Sequence, residues 1–248
     1  MSNYNSYLEV CKGAVADTQM FNNFKHLAAY RSILEHVTEV QGLEYLKEIK
    51  KHKFLLERIS RFTTNDNIGS PITYFYKELN CRVSPTTLRY VKVLSDLMHL
   101  FGTLDDLDIV EIGGGYGGQC KIIYDVASPN SYTIVDLPEV MELQKKYLYY
   151  NGIDEVQFGI PSWMHHYDLC IANYSFTEVD RQFQDLYKEK IIAISRRGYI
   201  TCNFLDQRAD GSMSKAEILA MKPNAIVLPE QPLTGRDNLI YTWDTAAK

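Results

Sequence analysis

From Asp108 to Gln119 the chain reads DIVEIGGGYGGQ, a short apolar run carrying Glu111 and then five glycines broken only by Tyr116. Backbone without side chains lets a ligand approach the main chain closely, and glycine accepts the positive φ that such a turn requires. Two spacings coexist in this loop. Gly113, Gly115 and Gly118 form G-x-G-x-x-G, with Asp136 near the distance at which a ribose-binding acid belongs. Glu111, Gly113, Gly115 and Gly117 form an alternating E-x-G-x-G-x-G equally well.

Other residues could move protons or grip a substrate. Glu178, in NYSFTEVD, is the first candidate for a general base, with Asn173, Tyr174 and Ser175 shaping the pocket beside it. The plainer alternative for Glu178 is an exposed residue in a helix's first turn, favoured by the helix dipole. The adjacent His165 and His166 are the next candidates, although a histidine pair in a loop is commonly solvated and idle. Asn203 and Asp206, in NFLDQR, could bind substrate hydroxyls or a metal. No His, Asp or Glu set shows the spacing of a metal site, so no metal is expected. Arg89 and Tyr90, in SPTTLRY, could hold an anionic substrate group, with a surface ion pair as the competing role for Arg89.

These residues need elements to position them. Up to about residue 103 the periodicity is helical, with apolar residues three and four apart in FNNFKHLAAYRSILEHV and GLEYLKEIKKHKFLLERISRF, separated from a third helix by the loop TTNDNIGSPITYFY. That third helix opens with Ser84 as N-cap and Pro85, buries Leu88, Val91, Leu94, Met98 and Phe101, and stops at Gly102. From residue 104 short β-branched runs alternate with helices: DIVEIG, YTIVD, VQFG, YDLCIAN and GYITCNF. Alternation of this kind predicts a parallel sheet. RQFQDLYKEKIIAIS reads as a helix burying Phe183, Leu186, Tyr187, Ile191 and Ile194, and Ser214 with Glu217 as a capping box. AIVLPEQP and NLIYTW are joined only by LTGRD, too short for a parallel crossover, so they predict an antiparallel hairpin at the sheet's end. The expected architecture is α/β: a helical N-terminal lid, residues 1–103, before a Rossmann-like seven-stranded core with an antiparallel last strand, residues 104–248.

Composition narrows the partners. The chain has 248 residues, 46% hydrophobic and 23% charged, with a net charge of -5 that disfavours a nucleic-acid surface. No apolar run is long enough to span a membrane, and the first ten residues lack a signal peptide's features. Five scattered cysteines without a CxxC pair predict reduced thiols and a cytoplasmic location, and the eighteen tyrosines are read mainly as packing.

Charge and topology separate the two glycine-loop readings. A pyrophosphate over the loop would be repelled by Glu111, whereas S-adenosylmethionine carries a sulfonium and an amino group that an acid favours. The terminal hairpin also suits a methyltransferase better than a nicotinamide-dependent oxidoreductase, which remains the alternative together with an inactive scaffold of the same fold. The expected cofactor contacts in the loop are Glu111, Gly113, Gly115, Tyr116, Gly117 and Gln119. After the second strand they are Asp136, whose carboxylate could accept both ribose hydroxyls or merely cap a helix, and Leu137. Ile160 and Pro161 follow the third strand, and Asn173 and Tyr174 the fourth.

VEIGGGYGGQ, YTIVDLPEV, YDLCIANYSFTEV, RGYITCNF, GSPITY and SPTTLRY together resemble the sugar O-methyltransferases, a family of class I S-adenosylmethionine-dependent enzymes. The resemblance runs from about residue 68 to 205. It implies methylation of a hydroxyl on a sugar, sugar nucleotide or oligosaccharide in glycan biosynthesis; from their own positions Arg89, Tyr90, Ser175, Asn203 and Asp206 are expected on the substrate side. No nucleic acid and no membrane span are expected, and a homo-oligomer is compatible with the sequence.

Overall fold

The computed structural model describes residues 3–162, 166–204 and 211–245. They form two compact units. The first comprises Met1–Leu104, Gly115–Ala127 and Leu137–Asp154, the second Asp105–Gly114, Ser128–Asp136 and Glu155–Lys248.

The first unit is helical, with α1 (Asn3–Ala16), α2 (Thr18–Phe21), α3 (Ala28–Arg31), α4 (Glu39–Ile49), α5 (Lys53–Leu56), α6 (Ile59–Phe62), α7 (Pro85–Phe101), α8 (Gly118–Tyr124) and α9 (Pro138–Tyr150). α1 packs on α9, α4 on α7, and α7 on α8. α7 matches its sequence signals: Ser84 Oγ accepts the Thr87 N–H at 3.0 Å, Pro85 follows, and Gly102 ends the helix at φ +81°. The earlier segments do not form the two long helices expected. Residues 21–37 break into short turns, because Asn22 and Asn23 cap and turn rather than propagate; Asn23 donates to the Gln19 carbonyl. The stretch 42–62 breaks at His52, inside the cationic run Lys50–Lys53, where like charges a turn apart oppose the helix. The expected loop before α7 also holds a strand, β1 (Tyr74–Tyr76), paired antiparallel with β2 (Cys81–Val83).

The second unit carries a seven-stranded sheet of β3 (Asp108–Ile112), β4 (Ser131–Val135), β5 (Gln157–Phe158), β6 (Tyr167–Asn173), β7 (Ser195–Cys202), β8 (Ile226–Pro229) and β9 (Leu239–Asp244). The spatial order is β5-β4-β3-β6-β7-β9-β8. β3 to β7 pair in parallel, and β9 runs antiparallel between β7 and β8. The expected hairpin is present, with its second strand inserted inside the sheet and β8 left at the edge. Val110, Ile112, Cys170, Ile200, Tyr241 and Trp243 are core residues of this sheet, together with Tyr187 and Ile191 from the helical run and Ile218 of α11 (Lys215–Leu219). Ser214 and Glu217 make the expected capping box. The run expected as one helix is α10 (Arg181–Tyr187) followed by a π-helical turn, Lys188–Ile192. Phe183 and Leu186 are therefore exposed, while Gln184 is buried, donating to Phe176 O and accepting the Met213 N–H.

Candidate functional site

β3 delivers the chain into the glycine turn. Gly113, Gly115 and Gly117 have φ of +74°, +59° and +93°, a region open to glycine and costly for most other residues. Gly113 N–H donates to Val135 O at 2.9 Å, fixing the turn to the end of β4. A Cβ on Gly113 would collide with the side chain of Ser175, whose hydroxyl donates to the Ile112 carbonyl. Ser175 is thus a support beneath the turn, not an open substrate contact. Gly117 occupies the N-cap of α8. Gly115 belongs to the first unit, where its carbonyl accepts Gln144 Nε2 at 2.9 Å and a Cβ would press on Leu34 at 3.3 Å.

Asp136 stands just past the carboxyl end of β4 and is half-buried. The N-cap of α9 is Leu137, directly after Asp136, and the Leu137 side chain makes no capping bond. Ile160 and Pro161 follow β5, half-buried, with Ile160 packed on the core cluster.

At the carboxyl end of β6, Asn173 Oδ1 accepts the Thr201 hydroxyl at 3.3 Å, and its Nδ2 is buried without a partner among the described residues. Tyr174 adopts φ +67°. Glu178 is exposed and its Oε1 accepts Asn203 Nδ2 at 2.5 Å, while Asn203 Oδ1 accepts the Thr177 hydroxyl at 2.5 Å. Asn203 is therefore committed to holding Glu178 and the turn after β6.

Several expectations change. Glu111 is 2% exposed and accepts the Tyr132 hydroxyl at 2.8 Å within the sheet. Burial pushes its carboxyl up to about 8, with the Asp136 charge adding to the rise and the Tyr132 bond opposing it. Burial favours the neutral form of Glu111, so repulsion of a pyrophosphate by its charge no longer separates the ligand readings. Tyr116 points into the first unit's interior, edge-on to Tyr90 and Tyr147, and its hydroxyl accepts Asn65 Nδ2 at 2.8 Å. Gln119 is buried and donates to Tyr90 O at 3.3 Å. Both side chains are structural here. Arg89 and Tyr90 are buried in the same unit, with Arg89 donating to Leu34 O at 3.3 Å. His166 precedes β6, so a seven-residue strand, roughly 23 Å, separates it from the carboxyl end and removes it as the base. His165 and Asp206 lie outside the described residues.

Sequence reading missed Asn65, Asp66, Lys25 and Glu230. Asn65 links Tyr116, Thr87 and Tyr147 through bonds of 2.8, 2.7 and 2.6 Å, and its carbonyl accepts the buried Lys25 Nζ at 2.7 Å. For Asn65 and Asp66 the only signal was the polar loop TTNDN before GSPITY; Lys25 and Glu230 carried none. A His/Asp/Asp group also escaped notice: ligand atoms of Asp108, His166 and Asp168 lie within 4.8 Å of one another at the amino ends of β3 and β6.

No family model matches the chain, and no curated protein matches it. Similar solved structures include Thermoplasma acidophilum 1320 (14% identity, 65% of this chain, 91% of that one, TM-score 0.45). Magnesium protoporphyrin IX methyltransferase from Synechocystis PCC 6803, with bound SAM, gives 12%, 63%, 83% and 0.45. Mitomycin 7-O-methyltransferase gives 17%, 62%, 56% and 0.42, so the chain spans little more than half of that protein. Likenesses of this size decide nothing about the chain's activity. The fold class rests on the sheet itself: numbered from β3, its order is 3-2-1-4-5-7-6 with the seventh strand antiparallel, and a glycine turn follows strand one. That is the Rossmann-like methyltransferase fold.

Proposed function

We propose that the protein is an S-adenosylmethionine-dependent methyltransferase acting on a hydroxyl of a sugar or glycan precursor. The observation that carries the first part is the glycine turn: three positive-φ glycines following β3, with the Asp136 carboxylate just past the end of the neighbouring strand. The residues fit the cofactor. Asp136 would accept the ribose hydroxyls, the glycine backbone would lie against the ligand, and Asn173 Nδ2, buried without a partner among the described residues, offers a donor to it. The cofactor supplies an electrophilic methyl group on a sulfonium.

The chain's own part is to hold the acceptor hydroxyl in line with that methyl and remove its proton. Glu178, whose carboxylate accepts Asn203 Nδ2, would take the proton from the acceptor hydroxyl. The acceptor class rests on the sequence resemblance. Calorimetric titration tests the cofactor: S-adenosylhomocysteine should bind and NAD should not, and the reverse would overturn the reading. A mass-spectrometric screen of sugar nucleotides and oligosaccharides for gain of one methyl tests the acceptor.

A further inference from the structure

Tyr174 is held in a left-handed conformation at φ +67°, uncommon for so bulky a residue and sustained only where the surroundings impose it. Its N–H donates to Thr201 O at 2.9 Å, and its carbonyl accepts the Thr177 hydroxyl at 2.9 Å. Its own hydroxyl donates to Glu230, with Thr234 Oγ1 3.4 Å away. Glu230 is 5% exposed, an unusual place for a carboxylate. It is saturated with donors: Thr234 N–H at 2.8 Å, the Thr234 hydroxyl at 2.8 Å and Asn238 Nδ2 at 3.0 Å. Pairing of Pro229 with Leu239, and of Leu239 with Cys202, puts the β8–β9 connection at the carboxyl end of β7, beside the turn after β6. The buried carboxylate therefore ties that connection to the turn carrying Asn173, Tyr174 and Ser175.

We propose that Glu230 is a positioning residue: through the Tyr174 hydroxyl it holds the turn after β6, and with it the Asn173 donor and the Ser175 support of the glycine turn. The bearing on cofactor binding rests on the methyltransferase reading; the coupling of Glu230 to the turn does not. A neutral or misplaced acceptor at 230 would free the phenol, and the strained turn would relax.

The test uses the full chain, with Tyr174→Phe, Glu230→Gln, their double variant and Thr234→Val as a control that spares the phenol. Hydrogen exchange by mass spectrometry follows residues 173–178, and calorimetry follows S-adenosylhomocysteine at a temperature where every variant is folded. Either single variant should speed exchange at 173–178 and weaken S-adenosylhomocysteine roughly tenfold, the scale of one charge-assisted hydrogen bond. The double variant should be no worse than either single one, since both break one link, and Thr234→Val should stay within about twofold of wild type because the charge-assisted bond remains. Unchanged exchange at 173–178 in Tyr174→Phe and Glu230→Gln would overturn the proposal. So would an equal loss of affinity in Thr234→Val, which would mean general loosening of the connection. A wild type that binds no S-adenosylhomocysteine would sink the methyltransferase reading instead, and the exchange result would still decide the role of Glu230.

Discussion

Asp136 and Glu178 are two carboxylates with opposite surroundings, and their expected roles differ accordingly. Asp136 is half-buried at a strand end, where a bond from a ribose hydroxyl to its charge is worth about 1.5–3 kcal/mol. Asp136→Ala should therefore weaken S-adenosylhomocysteine roughly ten- to a hundredfold by calorimetry, and Asp136→Asn, which keeps an acceptor, should weaken it less. Wild-type affinity in both would remove Asp136 from the site. Glu178 is exposed and steered by Asn203. Glu178→Gln keeps its shape but cannot take a proton, so single-turnover methyl transfer should slow by about 10²–10⁴ with cofactor affinity unchanged. A rate within threefold or so of wild type, against that expected loss, would move the base elsewhere. The glycine spacing was legible because the turn's geometry is local to five consecutive residues. Glu111 was legible as an acid and not as one whose carboxyl is raised by burial, because the strands that desolvate it are brought to it by pairing: Ser131–Val135 on one side and Tyr167–Asn173 on the other.

Elements were readable where one short signal governed them. Ser84, Pro85 and Gly102 bracket α7 as their types require, and the five-residue connection LTGRD sufficed to predict that β8 and β9 are antiparallel. The π turn after α10 was not readable, since one extra residue per turn leaves the apolar periodicity nearly intact while rotating Phe183 and Leu186 outward. Nor was the clamp on α7's first turn, which depends on a residue far outside it. Asp66 Oδ2 accepts the Ser84 N–H at 2.6 Å, and its Oδ1 accepts the Ser84 and Thr87 hydroxyls at 2.8 and 2.7 Å. Asp66→Ala would leave three buried donors short of an acceptor, at a cost of about 1–3 kcal/mol for such unsatisfied groups. Denaturant unfolding should show that loss, and the double variant with Ser84→Ala should lose less than the sum, because the two residues share their bonds. Strict additivity would mean that Asp66 acts elsewhere.

Across the whole molecule, each unit buries a carboxyl group away from water. Glu35, in the first, has its carboxyl pushed up by burial, with the Lys25 charge and a Thr86 hydrogen bond opposing the rise. Glu111, in the second, is pushed up to about 8. A carboxyl whose folded value is raised stabilises fully below its unfolded value, near 4.5 for both groups, and that stability is lost as pH climbs through the folded value. Both therefore act in one direction between about pH 4.5 and 8. Lys25 acts differently: burial lowers its amine, against the charges of Glu35 and Asp66, so its penalty is constant below the lowered value and is relieved only above it. The two carboxyls together make stability fall from pH 5 to pH 8, with the His36 imidazole, lowered by burial, opposing them below its ordinary 6.5. Each tenfold change in a group's proton affinity on folding is worth about 1.36 kcal/mol between its protonation states, so the melting temperature should drop by on the order of 5 °C or more over that interval. Glu35→Gln and Glu111→Gln each remove one carboxyl's share of the pH slope, and the double variant removes both. Differential scanning calorimetry of the wild type and the three variants at pH 5, 6.5 and 8 provides the measurement. A wild-type melting temperature that rises steadily from pH 5 to 8, with the same slope in the double variant, would mean that neither carboxyl is held protonated in the folded protein.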